Sequence, residues 1–146
     1  MPEPVSGGCR CGAVRYTLAI DALPNTYACH CHHCQTWSGS AFSQQAVVPE
    51  TALSVTGPIA IYELTTKDRV SRQRVCAVCH TRIYNTNSAR PGLAVVRAGT
   101  LDESDKLNVV AHIWTKRKQA WIAIPPDVPC WEETPPPADF MAALMR

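Results

Sequence analysis

Along most of this chain, hydrophobic positions recur at every second residue, the spacing of strands whose two faces meet different surroundings. In Ala13-Val-Arg-Tyr-Thr-Leu-Ala-Ile20, Val14, Tyr16, Leu18 and Ile20 share one face while Arg15 and Thr17 take the other. Leu53 and Val55 alternate in the same way, and Gly57-Pro58 breaks the chain before Ile59-Ala-Ile-Tyr62. In the segment from Leu107 to Trp114, Leu107, Val109, Ala111 and Ile113 fall on one side, with Val110, His112 and Trp114 on the other. The short apolar run Trp121-Ile-Ala-Ile124 reads as a last strand, ended by Pro125-Pro126.

Twelve prolines and seven glycines punctuate this pattern, at Pro24, Pro49, Gly57-Pro58, Pro91-Gly92 and Pro125-Pro126 among others. Such frequent breaks leave little room for long helices. The one helix predicted is the tail, Ala138-Asp-Phe-Met-Ala-Ala-Leu-Met145, with Pro135 to Pro137 setting its start. No internal repeat is visible and no linker is long enough to divide domains. The expectation is one all-β domain over residues 1–146, built of antiparallel sheets with a short C-terminal helix.

At 146 residues and 46% hydrophobic, the chain can bury a core of its own. A net charge of +2 with 18% charged residues gives no polyelectrolyte signature. Lys116, Arg117 and Lys118 form one short basic run, and Arg69, Arg72 and Arg74 are spread along a predicted strand. These read as solvated faces. Nucleic-acid binding needs a broader basic surface and is not expected. No apolar stretch approaches the roughly 20 residues that cross a bilayer. The start, Met-Pro-Glu-Pro-Val-Ser, lacks the basic stretch and apolar run of a secretory signal. A soluble cytoplasmic protein is therefore expected, with no membrane partner.

Cysteine changes this picture most. Seven of the eight cysteines fall into three clusters: Cys9-Arg-Cys11, Cys29-His-Cys31-His-His-Cys34 and Cys76-Ala-Val-Cys79. Two pairs together make a closed four-thiolate site, the usual form of a structural zinc. The triplet makes a three-thiolate site with one coordination position left over, the pattern of a zinc that substrate can reach. Disulfides are the rival reading, but they suit small secreted domains lacking an adequate core. Clustered thiols in a cytosolic chain point to metal or catalysis. If Cys9 and Cys11 share a metal with Cys76 and Cys79, that metal ties the first strand to the middle of the chain.

Taken together these motifs resemble the glutathione-dependent formaldehyde-activating enzyme family, which also includes centromere protein V. The resemblance is carried by Gly8-Cys-Arg-Cys-Gly-Ala-Val-Arg-Tyr16, by Cys29-His-Cys31-x-x-Cys34 with Ser38-Gly-Ser-Ala-Phe42, and by Cys76-x-x-Cys79. It continues through His112-Ile-Trp-Thr115 and Trp121-Ile-Ala-Ile-Pro125. It implies a zinc-stapled β fold of the kind called a β-tent, holding two zinc ions per chain. It assigns Cys9, Cys11, Cys76 and Cys79 to a structural zinc and Cys29, Cys31 and Cys34 to a catalytic one. The implied reaction joins glutathione to formaldehyde, giving S-(hydroxymethyl)glutathione, or cleaves that carbon–sulfur bond. One position departs from the pattern: Cys79 is followed by His80, where the family commonly has glycine. Glycine there eases a tight turn, and histidine accepts positive φ more readily than most residues.

Other residues carry weaker signals. His33 is the best-placed candidate to close the triplet's fourth position, while His30 and His32, flanked by cysteines, suit support or surface roles. Ser38, Gly39 and Ser40 can offer donors to a substrate carboxylate or form a polar turn. Trp114 and Trp37 can wall a pocket or fill a core. His112 can act as acid or base, or serve as a hydrogen-bonded structural histidine. Cys130 reads as a spare, partly buried thiol. The function expected is a carbon–sulfur lyase-type enzyme acting on a thiol–aldehyde adduct. Two alternatives stay open: the same chemistry on another thiol or electrophile, and a non-catalytic zinc scaffold for a protein partner. A homo-oligomer is also left open.

Overall fold

The computed structural model describes residues 4–146. Met1 to Glu3 lie outside the described residues, so the reading of the chain's start as free of a secretory signal falls partly beyond them. The chain is mostly β-strand with two short helices, in two compact units. One unit comprises residues 1–24 and 46–106, the other residues 25–45 and 107–146.

The first unit contains a small antiparallel sheet, β1 (Val5–Gly8), β2 (Arg15–Leu18) and β5 (Leu53–Thr56), in the order β1-β2-β5. The alternation read from the sequence holds here. Val14, Tyr16 and Leu18 are buried, while Arg15 and Thr17 are exposed. The buried Tyr16 hydroxyl meets Thr100 Oγ1 at 2.7 Å, so its one polar atom stays satisfied. A second run of strands forms an antiparallel meander: β6 (Ile59–Thr65), β7 (Val70–Cys76), β8 (Arg82–Asn87) and β9 (Leu93–Arg97). Ile83, Ala94 and Val96 are its buried apolar side chains. Strand β4 (Ser43–Pro49) begins in the second unit and ends in the first.

The second unit is built on β3 (Thr26–Cys29), which pairs antiparallel with β4 and parallel with β10 (Val109–Ile113). The parallel pair is an addition to the antiparallel arrangement expected. A register shift between Val109 and Ala111 interrupts the alternation in β10, and Ala111 and His112 are both buried. The simple two-face reading of that strand therefore does not hold. Helix α2 (Pro137–Leu144) matches the predicted tail helix to within a residue at each end. Pro137 sits in its first turn, where a missing N–H costs nothing. Phe140, Ala143 and Leu144, spaced to share one face, are buried. The Phe140 ring meets Tyr27 edge-on at 4.8 Å and Trp131 at 6.3 Å. Burying such a side chain contributes about 1.5–3 kcal/mol. Asn25 Nδ2 donates to the Leu144 carbonyl, an acceptor that the helix end leaves open, at 2.8 Å, and to the Arg146 carbonyl beyond it at 2.9 Å.

Two expectations change. Helix α1 (His32–Ser38) forms inside the second cysteine cluster, where the sequence offers no apolar stripe and no helical residue is buried. Its ends explain it. The Cys31 thiol caps the first turn by accepting from Cys34 N–H, and Gly39 closes the last turn at φ 64°, donating to the Gln35 carbonyl. Trp121–Ile124, expected as a last strand, is irregular backbone. Ile122 N–H turns back to the Gln119 carbonyl, and the Ile122 carbonyl is taken by the Lys118 ammonium at 2.7 Å. Those groups are thereby withdrawn from any strand ladder.

Candidate metal centres

The first centre lies within the first unit. Its four sulfurs, from Cys9, Cys11, Cys76 and Cys79, lie within 4.8 Å of one another. Cys9 and Cys11 come from the turn after β1, which is closed by Cys9 N–H to Val14 O and Gly12 N–H to Cys9 O. Cys76 ends β7, and Cys79 follows in a knuckle closed by His80 N–H to Cys76 O at 2.9 Å. Backbone donors aim at the thiols: Val14 N–H reaches Cys9 Sγ at 3.2 Å, and Val78 and Cys79 N–H each reach Cys76 Sγ at 3.4 Å. His80 sits at φ 65°, the left-handed turn that the departure from glycine required. It is not among the grouped donors.

The second centre lies within the second unit. Cys29 ends β3, Cys31 caps α1 and Cys34 lies in its first turn, and their three sulfurs again lie within 4.8 Å of one another. Among the described residues no histidine or carboxylate joins this group. His32 and His33 are exposed on α1, so the candidate fourth ligand His33 stands apart from the thiols. His30 turns inward and is fully buried. Its Nε2 meets His112 Nδ1 at 2.9 Å, with the two rings stacked at 5.2 Å. Burial, then the neighbouring His112 and the Lys118 charge, pull His30 down to about 4. Burial, then Lys118, also lowers His112. The two imidazoles are thus a neutral buried pair at pH 7, which matches the structural reading of His112.

Both donor sets suit zinc. Tetrahedral Zn–S bonds of about 2.3 Å place neighbouring sulfurs about 3.8 Å apart. Cys9 Sγ to Cys11 Sγ is 3.5 Å, and Cys11 Sγ to Cys76 Sγ is 3.8 Å. In the triplet, the hydrogen bonds from Cys29 and then Cys34 push Cys31 far down, while Cys29 is pushed up, chiefly by Cys31. At the other centre a hydrogen bond from Thr81 Oγ1, at 3.1 Å, leads in lowering Cys79 to about 5. Close thiols suppress one another's ionisation, and a divalent cation removes that conflict.

Several residues around the triplet carried no sequence signal. Gln45 Nε2 donates to Cys34 Sγ at 3.6 Å, and Gln45 Oε1 accepts from the Tyr27 hydroxyl at 2.6 Å. Gln35 Nε2 donates to the His30 and Arg117 carbonyls at 2.7 and 2.9 Å, fastening α1. An open cleft of about 690 Å³ borders the same helix, lined by Gln35, Gly39, Ser40, Phe42, Gln119 and Trp121 among others. Its aromatic walls are Phe42 and Trp121; Trp37 and Trp114, which the sequence left open as pocket walls or core residues, are not among its lining. Trp114 instead donates from Nε1 to Thr134 Oγ1 and lies under the Lys116 ammonium. Gly39 and Ser40 line the cleft, whereas Ser38 Oγ donates to the Gln35 and Phe42 carbonyls. Cys130, expected to be partly buried, is exposed. Its backbone pairs beside His112, leaving the thiol outside both clusters.

Residues 4–117 match the family model described as glutathione-dependent formaldehyde-activating enzyme. The chain belongs to that family. A relative from Emericella nidulans, described as a putative glutathione-dependent formaldehyde-activating enzyme, is 36% identical over 78 residues. That stretch is 52% of this chain and 39% of the relative, so the chain spans about two-fifths of the relative's length. A crystal structure of a Rhodobacter sphaeroides protein superposes with a TM-score of 0.55 over 86% of this chain and 99% of that one, at 16% identity. This last likeness shows the fold of this glutathione-dependent formaldehyde-activating family member alone. Both cysteine centres lie inside the matched residues. No helix among the described residues is long and apolar enough to cross a membrane.

Proposed function

We propose that this chain is a two-zinc, carbon–sulfur lyase-type enzyme of the cytoplasm that joins or cleaves a thiol–aldehyde adduct. The family's name supplies glutathione as the thiol and formaldehyde as the aldehyde. The observation that carries the reading is the contrast between the two centres: four clustered thiols in one, three in the other with no fourth protein donor among the described residues. Cys9, Cys11, Cys76 and Cys79 would hold a structural zinc, and Cys29, Cys31 and Cys34 a catalytic one. Strand β4 passes from one unit to the other without a linker, which supports reading residues 1–146 as one domain.

A zinc with three thiolate ligands supplies an exchangeable position that favours the thiolate form of an incoming thiol. The chain's own residues do the rest. Gln45 and the α1 backbone donate to the Cys34 and Cys31 sulfurs, fixing where they point. Bringing thiolate and aldehyde together is the main demand, because orientation converts a two-body encounter into one step within a site.

The test is proton release. Glutathione titrated into metal-loaded protein by calorimetry, in buffers of differing ionisation enthalpy, should release about one proton per thiol bound. S-methylglutathione has no thiol proton and should bind far more weakly. His33→Ala should behave like the wild type, since His33 stands apart from the cluster. Glutathione binding without proton release in either protein would refute thiol activation and favour a zinc scaffold.

A further inference from the structure

The cleft beside α1 points to a second feature of the site, and its argument rests on the thiol-binding reading above. Trp121 is 74% exposed, yet its indole is not loose. Its Nε1–H donates to Gln119 Oε1 at 2.7 Å. The segment that carries both is held by the Lys118 ammonium, which donates to the Gln119 and Ile122 carbonyls at 3.3 and 2.7 Å. A large aromatic face is therefore held in place while left open to solvent.

The other features of the cleft narrow what that face can bind. None of its lining side chains is ionisable. Phe42 supplies a second ring, and Gly39, at φ 64°, exposes backbone without a side chain above it. The volume of about 690 Å³ is in the range of small-molecule sites. Gln35, which lines the cleft, is the residue after the ligand Cys34 and donates to the carbonyl of His30, between Cys29 and Cys31. Gln35 thus joins the lining of the cleft to the segment that carries the triplet thiols.

We propose that this cleft binds the non-reacting body of the thiol substrate, with an uncharged planar group stacked on the Trp121 indole, and that Trp121 determines which thiols are accepted. The planar group is a peptide amide or an aromatic ring; both present a flat, neutral face to the indole. Gln119 is a positioning residue that orients the ring.

Calorimetry on metal-loaded protein with three thiols separates these sources. Glutathione carries amides, phenylmethanethiol carries a ring, and 2-mercaptoethanol carries neither. Trp121→Ala should weaken whichever planar thiol uses the cleft by roughly 2- to 12-fold and leave 2-mercaptoethanol unchanged. Trp121→Phe should recover most of the loss. Loss for glutathione assigns an amide, and loss for phenylmethanethiol a ring. The Trp121 indole N–H resonance, identified by its absence in Trp121→Phe, should move with that thiol and not with 2-mercaptoethanol. Equal affinities for wild type and Trp121→Ala, with thiols still bound, would overturn the subsite and leave the thiol-site reading standing. Failure of every thiol to bind the wild type would overturn both.

Discussion

Replacing Tyr27 by phenylalanine removes one oxygen atom and should be felt at a metal that Tyr27 never touches. Tyr27 and Gln45 are cross-strand partners in the β3–β4 register. The tyrosine hydroxyl donates to Gln45 Oε1 at 2.6 Å, and the other end of that amide donates to Cys34 Sγ at 3.6 Å. Tyr27→Phe keeps the ring edge-on to Phe140 but strips the Gln45 carbonyl of this buried donor. An unpaired buried acceptor costs about 1–3 kcal/mol, or about 2–12 °C in Tm for a chain this long. The Gln45 amide is then freer to turn from the sulfur. Losing such an outer partner lowers metal affinity about 10–100-fold. Gln45→Leu, which deletes the donor outright, should fall in that range, and Tyr27→Phe at or below its lower end.

Stepwise competition with a chromophoric chelator reads the two metals separately. Only the more labile step should move, because the Tyr27 and Gln45 side chains hydrogen-bond in the triplet's surroundings, ending at Cys34 Sγ. The decisive comparison is the double variant. If Tyr27 acts through Gln45, Tyr27→Phe should cost no further metal affinity in the Gln45→Leu background. Losses that simply add, or a Tyr27→Phe protein with wild-type affinity, would refute the relay.

Three further outcomes follow from the same structure. Cys76, fully buried and accepting two backbone N–H bonds, should be indispensable to folding: Cys76→Ser should be insoluble or strongly destabilised, whereas Cys31→Ser stays folded with one zinc, and equal Tm values would refute the partition. His80→Gly should stabilise the first centre by about 0.5–1 kcal/mol and His80→Val should destabilise it, because φ there is 65°; denaturant midpoints decide, and the reverse order would count against the strain. The Arg15 hydrogen bond holds Asp102 below the usual carboxylate range, so the pair's stabilisation is complete above the unfolded-state pKa and lost as pH falls through the lower folded value. Both side chains are about half exposed, at 48% each, which limits the effect to under about 1 kcal/mol; an Arg15→Met protein with a larger deficit at pH 6 than at pH 2 by several kcal/mol would contradict that limit.

The sequence shows its metal donors because coordination is partly a local problem. A Cys-x-Cys or Cys-x-x-Cys turn brings two thiols to one point whatever the rest of the chain does. The same locality made β2, β5 and α2 legible, since each has one less exposed face set by its own spacing. Where a residue's partner is distant, the pattern fails. The alternation sets His112 on the face opposite Ala111, but the register shift in β10 and its bond to His30 leave both residues buried. Gln45 and Tyr27 are ordinary strand residues until β3 and β4 pair. Trp121 departs from its pattern for the opposite reason: its run is apolar enough for a strand, but Pro125 and the Lys118 ammonium take it out of any ladder.

Helix α1 joins these two cases. Seven residues with no buried side chain cannot hold a helix by themselves. What holds it is a thiol cap at one end, a left-handed glycine at the other and the Gln35 amide bridging two carbonyls across the unit. The cap, Cys31, is also a member of the triplet, and Gly39 is also part of the cleft. The features that fold this helix are therefore shared with the thiol cluster and the cleft. A sequence pattern tuned to apolar faces passes over such an element, and one short segment thereby presents sulfur at its start and lines a cleft at its end.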